Sequence, residues 1–140
     1  MKPLAFTSLF GLILAATGFG AVGDNERQIE ALYGKPGKDL GVHGDVHQIG
    51  YMSGGFMILV DYVNGISKRE GFANPDTSRL TTQNVEQVLR ISAPEGTSWR
   101  PAPATGADES WQRSDGKAIA IFPVAGIFLF VQDADYVPPK

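Results

Sequence analysis

The sequence predicts an α+β domain, with short helices packed on one face of an antiparallel sheet of about six strands, in two related helix–strand–strand–strand halves. Three observations predict it. Apolar residues recur at i, i+3, i+4 in two short segments, the mark of a helix with one buried stripe. Short apolar runs alternate with Gly-containing turns, the mark of antiparallel hairpins. The order helix, then strands, occurs twice along the 140 residues.

Residues 1–23 stand apart from that domain and read as a signal peptide. Lys2 is the only charge before Asp24, and an apolar run from Leu4 to Ala16 is broken only by Thr7, Ser8 and Gly11. Small residues follow, among them Gly18, Gly20, Ala21 and Gly23, which completes the three-part layout of a secretory signal. Ala21-Val22-Gly23 suits cleavage before Asp24, and cleavage near Gly20 is the alternative. An uncleaved anchor competes, because 3–22 is almost long enough to span a bilayer, but Thr, Ser and the glycines weigh against it. With no Cys in the chain, an N-terminal lipid anchor is excluded. The expected destination is the periplasm or the cell exterior.

The domain covers 24–136, with halves of about 24–73 and 80–136 and a tail at 137–140. The first helix starts at Asn25, with Gln28 at capping-box spacing. Ile29, Leu32 and Tyr33 form its apolar stripe, and Gly34 and Pro36 stop it. Strands at 46–52, 56–63 and 66–73 follow, separated by Gly54-Gly55 and Asn64-Gly65, and Asn-Gly is a strong hairpin signal. The second helix is capped at Thr81, stapled by Leu80 and Val85, and striped by Val85, Val88 and Leu89. Strands at 109–113, 118–124 and 127–132 follow, with turns at Asp115-Gly116 and Ala125-Gly126. The same interval separates Gly55 from Gly65 and Gly116 from Gly126, which suggests an internal duplication. A loop at 74–78 joins the halves, and the Pro-rich stretch 100–107 should be extended.

A two-residue Asn64-Gly65 turn sets Val63 opposite Ile66, Asp61 opposite Lys68 and Leu59 opposite Glu70. The face carrying Met57, Leu59, Asp61, Lys68, Glu70 and Phe72 then looks solvated, because opposite charges sit across it. Phe56, Ile58, Val60 and Tyr62 fall in the core. Carried over to the second hairpin, this puts Ile119, Ile121, Phe128 and Phe130 inside. Ala118, Ala120, Phe122, Val124, Ile127, Leu129 and Val131 are then left outside, a face without a charge. Either the second helix or a neighbouring loop covers it, or it is a surface for a protein partner or for self-association. Met57, Leu59, Phe122 and Leu129 are the partner-binding candidates.

The composition narrows the chemistry. The net charge of −3 removes the electrostatic drive for nucleic-acid binding, and zero Cys removes thiol catalysis. No nucleophile elbow, useful carboxylate pair or phosphate loop is present, so no catalytic residue and no cofactor are expected and the chain does not read as an enzyme. His43-Gly44-Asp45-Val46-His47 holds both histidines of the chain. If extended, His43, Asp45 and His47 share one side and could ligate a metal, with water as a fourth ligand. A solvated polar loop is the plainer alternative. The two Trp, Trp99 and Trp111, are expected as packing residues.

Residues 29–36 (Ile-Glu-Ala-Leu-Tyr-Gly-Lys-Pro) and 55–65 (Gly-Phe-Met-Ile-Leu-Val-Asp-Tyr-Val-Asn-Gly) together resemble the SmpA/OmlA type, which includes a small lipoprotein of outer-membrane β-barrel assembly. The tandem use of the unit is similar to β-lactamase inhibitory protein, and residues 80–117 look like small exported bacterial proteins. The resemblance implies a helix-on-sheet fold that acts by binding proteins. The chain departs from the pattern in lacking the lipidated Cys, and no active-site residue carries over.

Overall fold

The computed structural model describes residues 22–103, 106 and 108–140. The export segment read from the sequence therefore lies outside the described residues except for Val22 and Gly23. These two are docked on the domain: Gly23 N–H donates to Ser67 O at 2.8 Å, and Val22 packs against the core.

Both helices form where their caps place them. Helix α1 is Glu26–Tyr33 and α2 is Thr82–Ile91. At α1 the Asn25 side chain accepts from Gln28 N–H and the Gln28 side chain accepts from Asn25 N–H, both at 2.9 Å. At α2 Thr81 and Asn84 make the same reciprocal pair at 3.1 and 3.0 Å. Each box satisfies two otherwise orphaned backbone donors. Gly34, at φ 93°, ends α1 in a conformation that favours glycine.

The sheet has eight strands rather than about six, all antiparallel. They are β1 Lys38–His43, β2 Val46–Ser53, β3 Phe56–Val63, β4 Ile66–Ala73, β5 Trp99–Pro101, β6 Glu109–Arg113, β7 Ala118–Phe122 and β8 Leu129–Asp133. Their order across the sheet is β1-β2-β3-β4-β8-β7-β6-β5. Each half of the chain thus lays down a helix and four strands, and the last strands of the two halves, β4 and β8, pair in the middle. The two strands missing from the sequence reading are the edges. Strand β1 is bulged near Gly41, and β5 runs into the Pro-rich stretch, where Pro101 is tolerated because an edge strand has a free side.

Two expectations about the faces are corrected. Val63 pairs with Ile66 as expected and Tyr62 with Ser67, but a bulge at Lys68 then sets Asp61 opposite Arg69 and Val60 opposite Glu70. One extra residue moves everything beyond it to the other face. Glu70 and Phe72 therefore join Phe56, Ile58, Val60 and Tyr62 in the core, while Arg69 and Gly71 lie opposite. In the second half the assignment is inverted. Ala118, Ala120, Phe122, Leu129 and Val131 are buried, and Ile119, Ile121, Phe128 and Phe130 sit half-buried on the other face. Strand β7 ends at Phe122 and β8 begins at Leu129. The connection is longer than the Asn64-Gly65 turn, yet Ala120 still pairs with Val131 and Ile121 with Phe130, the register that a turn at Ala125-Gly126 gives. The pairing therefore holds, and what is reversed is which pleat of the hairpin meets the helices.

The main apolar cluster sits on one face of the sheet, while Val46, Ala73 and Asp61 are buried on the other. Ile29 from α1 and Val85 and Val88 from α2 pack onto Tyr51, Ile58, Val60, Phe72, Leu129 and Val131, and Phe56 meets Phe72 edge-on at 6.1 Å. Each such side chain stabilises the fold by roughly 1.5–3 kcal/mol. Of the uncharged surface read for the second hairpin, Ala118, Ala120, Phe122, Leu129 and Val131 lie on this buried face, whereas Val124 is 56 % exposed and Ile127 half-buried.

Candidate functional site

The face opposite the helices carries no helix among the described residues, and two cross-strand rows define it. The first runs Gln48, Asp61, Arg69, Gln132 and Ile119 across β2, β3, β4, β8 and β7. It is locked from within. Asp61 accepts from Gln48 Nε2 at 2.8 Å, and from Arg69 through Nε at 3.0 Å and Nη2 at 2.9 Å. The Arg69 guanidinium lies 4.7 Å from the centre of the Phe130 ring. Its charge is thus shared between a carboxylate and an aromatic face.

The second row, Gly50, Leu59, Gly71, Phe130 and Ile121, has no charge. Gly71 is needed here because a Cβ would meet Phe130 at 3.0 Å and Phe128 at 3.1 Å. Those rings stack on each other with centres 5.8 Å apart. Beyond this row, Met52 pairs with Met57, and Met52 is 57 % exposed. A shallow depression of about 300 Å³ lies around Gly50, walled by Leu40, Met52, Met57 and Leu59, with Lys38 as its one charged residue.

The four partner-binding candidates are not brought together. Met57 and Leu59 are on this open face, half-buried beside the depression. Phe122 and Leu129 are beneath the helices, 3 % and 0 % exposed, and unavailable to a partner. The residues that replace them on the open face are Ile121 and Phe130, which the sequence had assigned to the core.

The metal candidates do not converge either. Gly44 and Asp45 form a turn, with His43 paired to Val46 and Val42 to His47. Paired residues share a face and alternate along the strand, so His43 and His47 point to opposite sides of the hairpin. His47 instead meets Asp39, with Nε2 2.9 Å from both carboxylate oxygens. The Gly41 N–H and then His47 hold the Asp39 carboxyl below its ordinary range. Among the described residues, no three His, Asp or Glu are grouped closely enough to hold a metal ion.

The strongest electrostatic feature is one the sequence reading missed. Glu70 is 2 % exposed beneath α1. Its carboxyl accepts from Tyr33 Oη at 2.6 Å and from Ser67 Oγ at 3.3 Å, and it has no basic partner among the described residues. Burial pushes its pKa from 4.5 up to about 7, against the lowering effect of the two hydroxyls. Beside it the Tyr51 and Tyr62 hydroxyls are 2.6 Å apart. Burial first, and then the Glu70 charge, raises the Tyr33 hydroxyl well above its usual value. Such a carboxyl could move protons near neutral pH, but it is sealed from any substrate, so it acts on the fold. The bulge at Lys68 turns Glu70 inward, and no sequence signal marks that bulge.

Compared with protein-family models, with curated proteins and with solved structures, the chain has no significant match. No helix among the described residues is long and apolar enough to cross a membrane.

Proposed function

We propose that the chain is an exported, non-catalytic module that binds a protein partner on the helix-free face of its sheet, around Met57 and Leu59. The observation that carries this reading is the uncharged stretch from Met52 and Met57 through Leu59 to Phe130 and Ile121, half-exposed beside the depression at Gly50. Contiguous apolar surface of this kind marks interaction sites, and Met suits a surface that must adapt to a partner. Export is supported by the layout of residues 1–23. The docking of Val22 and Gly23 on β4 favours the earlier cleavage position, near Gly20, because cleavage before Asp24 would remove both.

The two halves are read as related units, a capped helix followed by four strands, meeting at β4 and β8. Their mirrored strand order supports this reading. The binding proposal is tested by affinity capture from the envelope fraction of the source cells with the wild-type chain and with Leu59→Asp. Capture of one defined protein by wild type and its loss in the folded variant is the expected result. Equal capture by both, or none by wild type, overturns the proposal.

A further inference from the structure

We propose a second binding site, for an alkylammonium group, in the cleft between α2 and the outer strands of the second half. The cleft holds about 310 Å³, the lower end of the range of small-ligand sites. It lies on the helix side of the sheet, remote from the open face. Strand pairing places Glu109 beside Phe122 and Trp111 beside Ala120, so the cleft floor is Phe122 and Val85, with Trp111 as a wall. Helix α2 brings Glu86 to the opposite rim.

Three features say what would fit. First, the two Trp differ. The Trp99 indole N–H donates to Leu89 O at 2.7 Å and ties β5 to α2, whereas Trp111 makes no such hydrogen bond among the described residues and is half-exposed in the cleft. Trp99 is therefore a packing residue, and Trp111 is free to meet a ligand. Second, Glu86 and Glu109 flank the cleft and enter no ion pair among the described residues. Third, the one cation at the cleft is already engaged. Arg79 donates through Nη1 to Pro123 O at 3.0 Å and Gly126 O at 2.7 Å, and its guanidinium lies 4.0 Å from the centre of the Phe122 ring. It closes one end and braces the connection between β7 and β8.

What remains is an apolar floor, an indole face and two carboxylates against the one guanidinium, so the cleft carries a net negative charge. A cation over the indole face gains from the ring quadrupole, and its aliphatic stem gains from the apolar floor. A neutral ligand of the same shape gains only the second.

The test titrates hexylammonium, and separately 1-hexanol, into the ¹⁵N-labelled protein and follows the two indole N–H signals. Hexylammonium is expected to move the Trp111 signal saturably and leave Trp99 in place. Hexanol should bind about tenfold more weakly or worse. The double variant Glu86→Gln, Glu109→Gln alters only exposed rim positions and should weaken that preference, leaving the part due to the indole face, with the melting temperature unchanged. Leu59→Asp on the open face should bind the probe like wild type, which keeps this site separable from the partner surface. Equal binding of hexanol, a preference undiminished in the double variant, or no saturable shift at Trp111 would each overturn the proposal.

Discussion

The two faces of the sheet are built from alternate residues of the same strands, yet they follow different rules. Along β8, Leu129 and Val131 are sealed under the helices, whereas Phe130 between them lies half-open beside Arg69. Along β3, Ile58 and Val60 are buried, while Met57 and Leu59 border a depression. The covered face is held by volume and by one sealed carboxyl. The open face is held by a polar row with its charges paired and by an aromatic pair lying across a glycine. The difference teaches that apolar content alone does not mark the core here; the helices do.

The comparison breaks most visibly at Leu129. Leu129→Asp puts an unpaired charge at a position with no exposure and should destabilise the fold by at least about 3 kcal/mol; Phe72→Ala, also sealed, should cost about 3–5 kcal/mol. Thermal and urea unfolding read both. If Leu129→Asp melts like wild type, the inverted face assignment of the second half is wrong.

Next comes Glu70. Its folded pKa, about 7, lies above its ordinary 4.5, so the folded state binds its proton more tightly than the unfolded chain does. This contribution is fully present below about pH 4.5 and is lost as pH rises through 7, at a cost of about 3 kcal/mol across that window. Glu70→Gln should flatten stability between those limits. Urea midpoints measured across that range check it, and an unchanged slope in the variant would remove Glu70 as the cause.

Gly71→Ala adds a Cβ 3.0 Å from the Phe130 ring. It should cost about 1–3 kcal/mol by overpacking and shift the Phe130 ring signals in NMR spectra. The smallest stability effect is expected at the open face itself: Leu59→Asp should cost no more than about 1 kcal/mol, since its side chain is only half-buried.

Much of this was readable in the sequence. The Asn25–Gln28 capping box, the Thr81 cap, the two helical stripes and the Asn64-Gly65 turn are local signals, set within a few residues of each other, and the structure has them all; the second half of the α2 box, Asn84, was not read. The core residues Phe56, Ile58, Val60 and Tyr62 followed from that turn. What failed was the choice of face. The bulge at Lys68 reverses the faces of β4 beyond it, and in the second hairpin the strands pair as their turn predicts but the opposite pleat meets the helices; neither has a local signature that can be seen without the packing partner. That is why Phe122 and Leu129 were placed with Met57 and Leu59, and why the inward turn of Glu70 went unseen. The His43, Asp45 and His47 grouping failed for a related reason, since an extended run and a hairpin turn differ by one Gly-Asp step.

Binding of a protein partner on the open face through Leu59 and its neighbours, as proposed, is tested most directly by capture from the envelope fraction with wild type and Leu59→Asp, after both have been shown to fold. One defined partner, retained by wild type and lost by the variant, is expected. A folded variant that still holds the same partner would contradict the proposal.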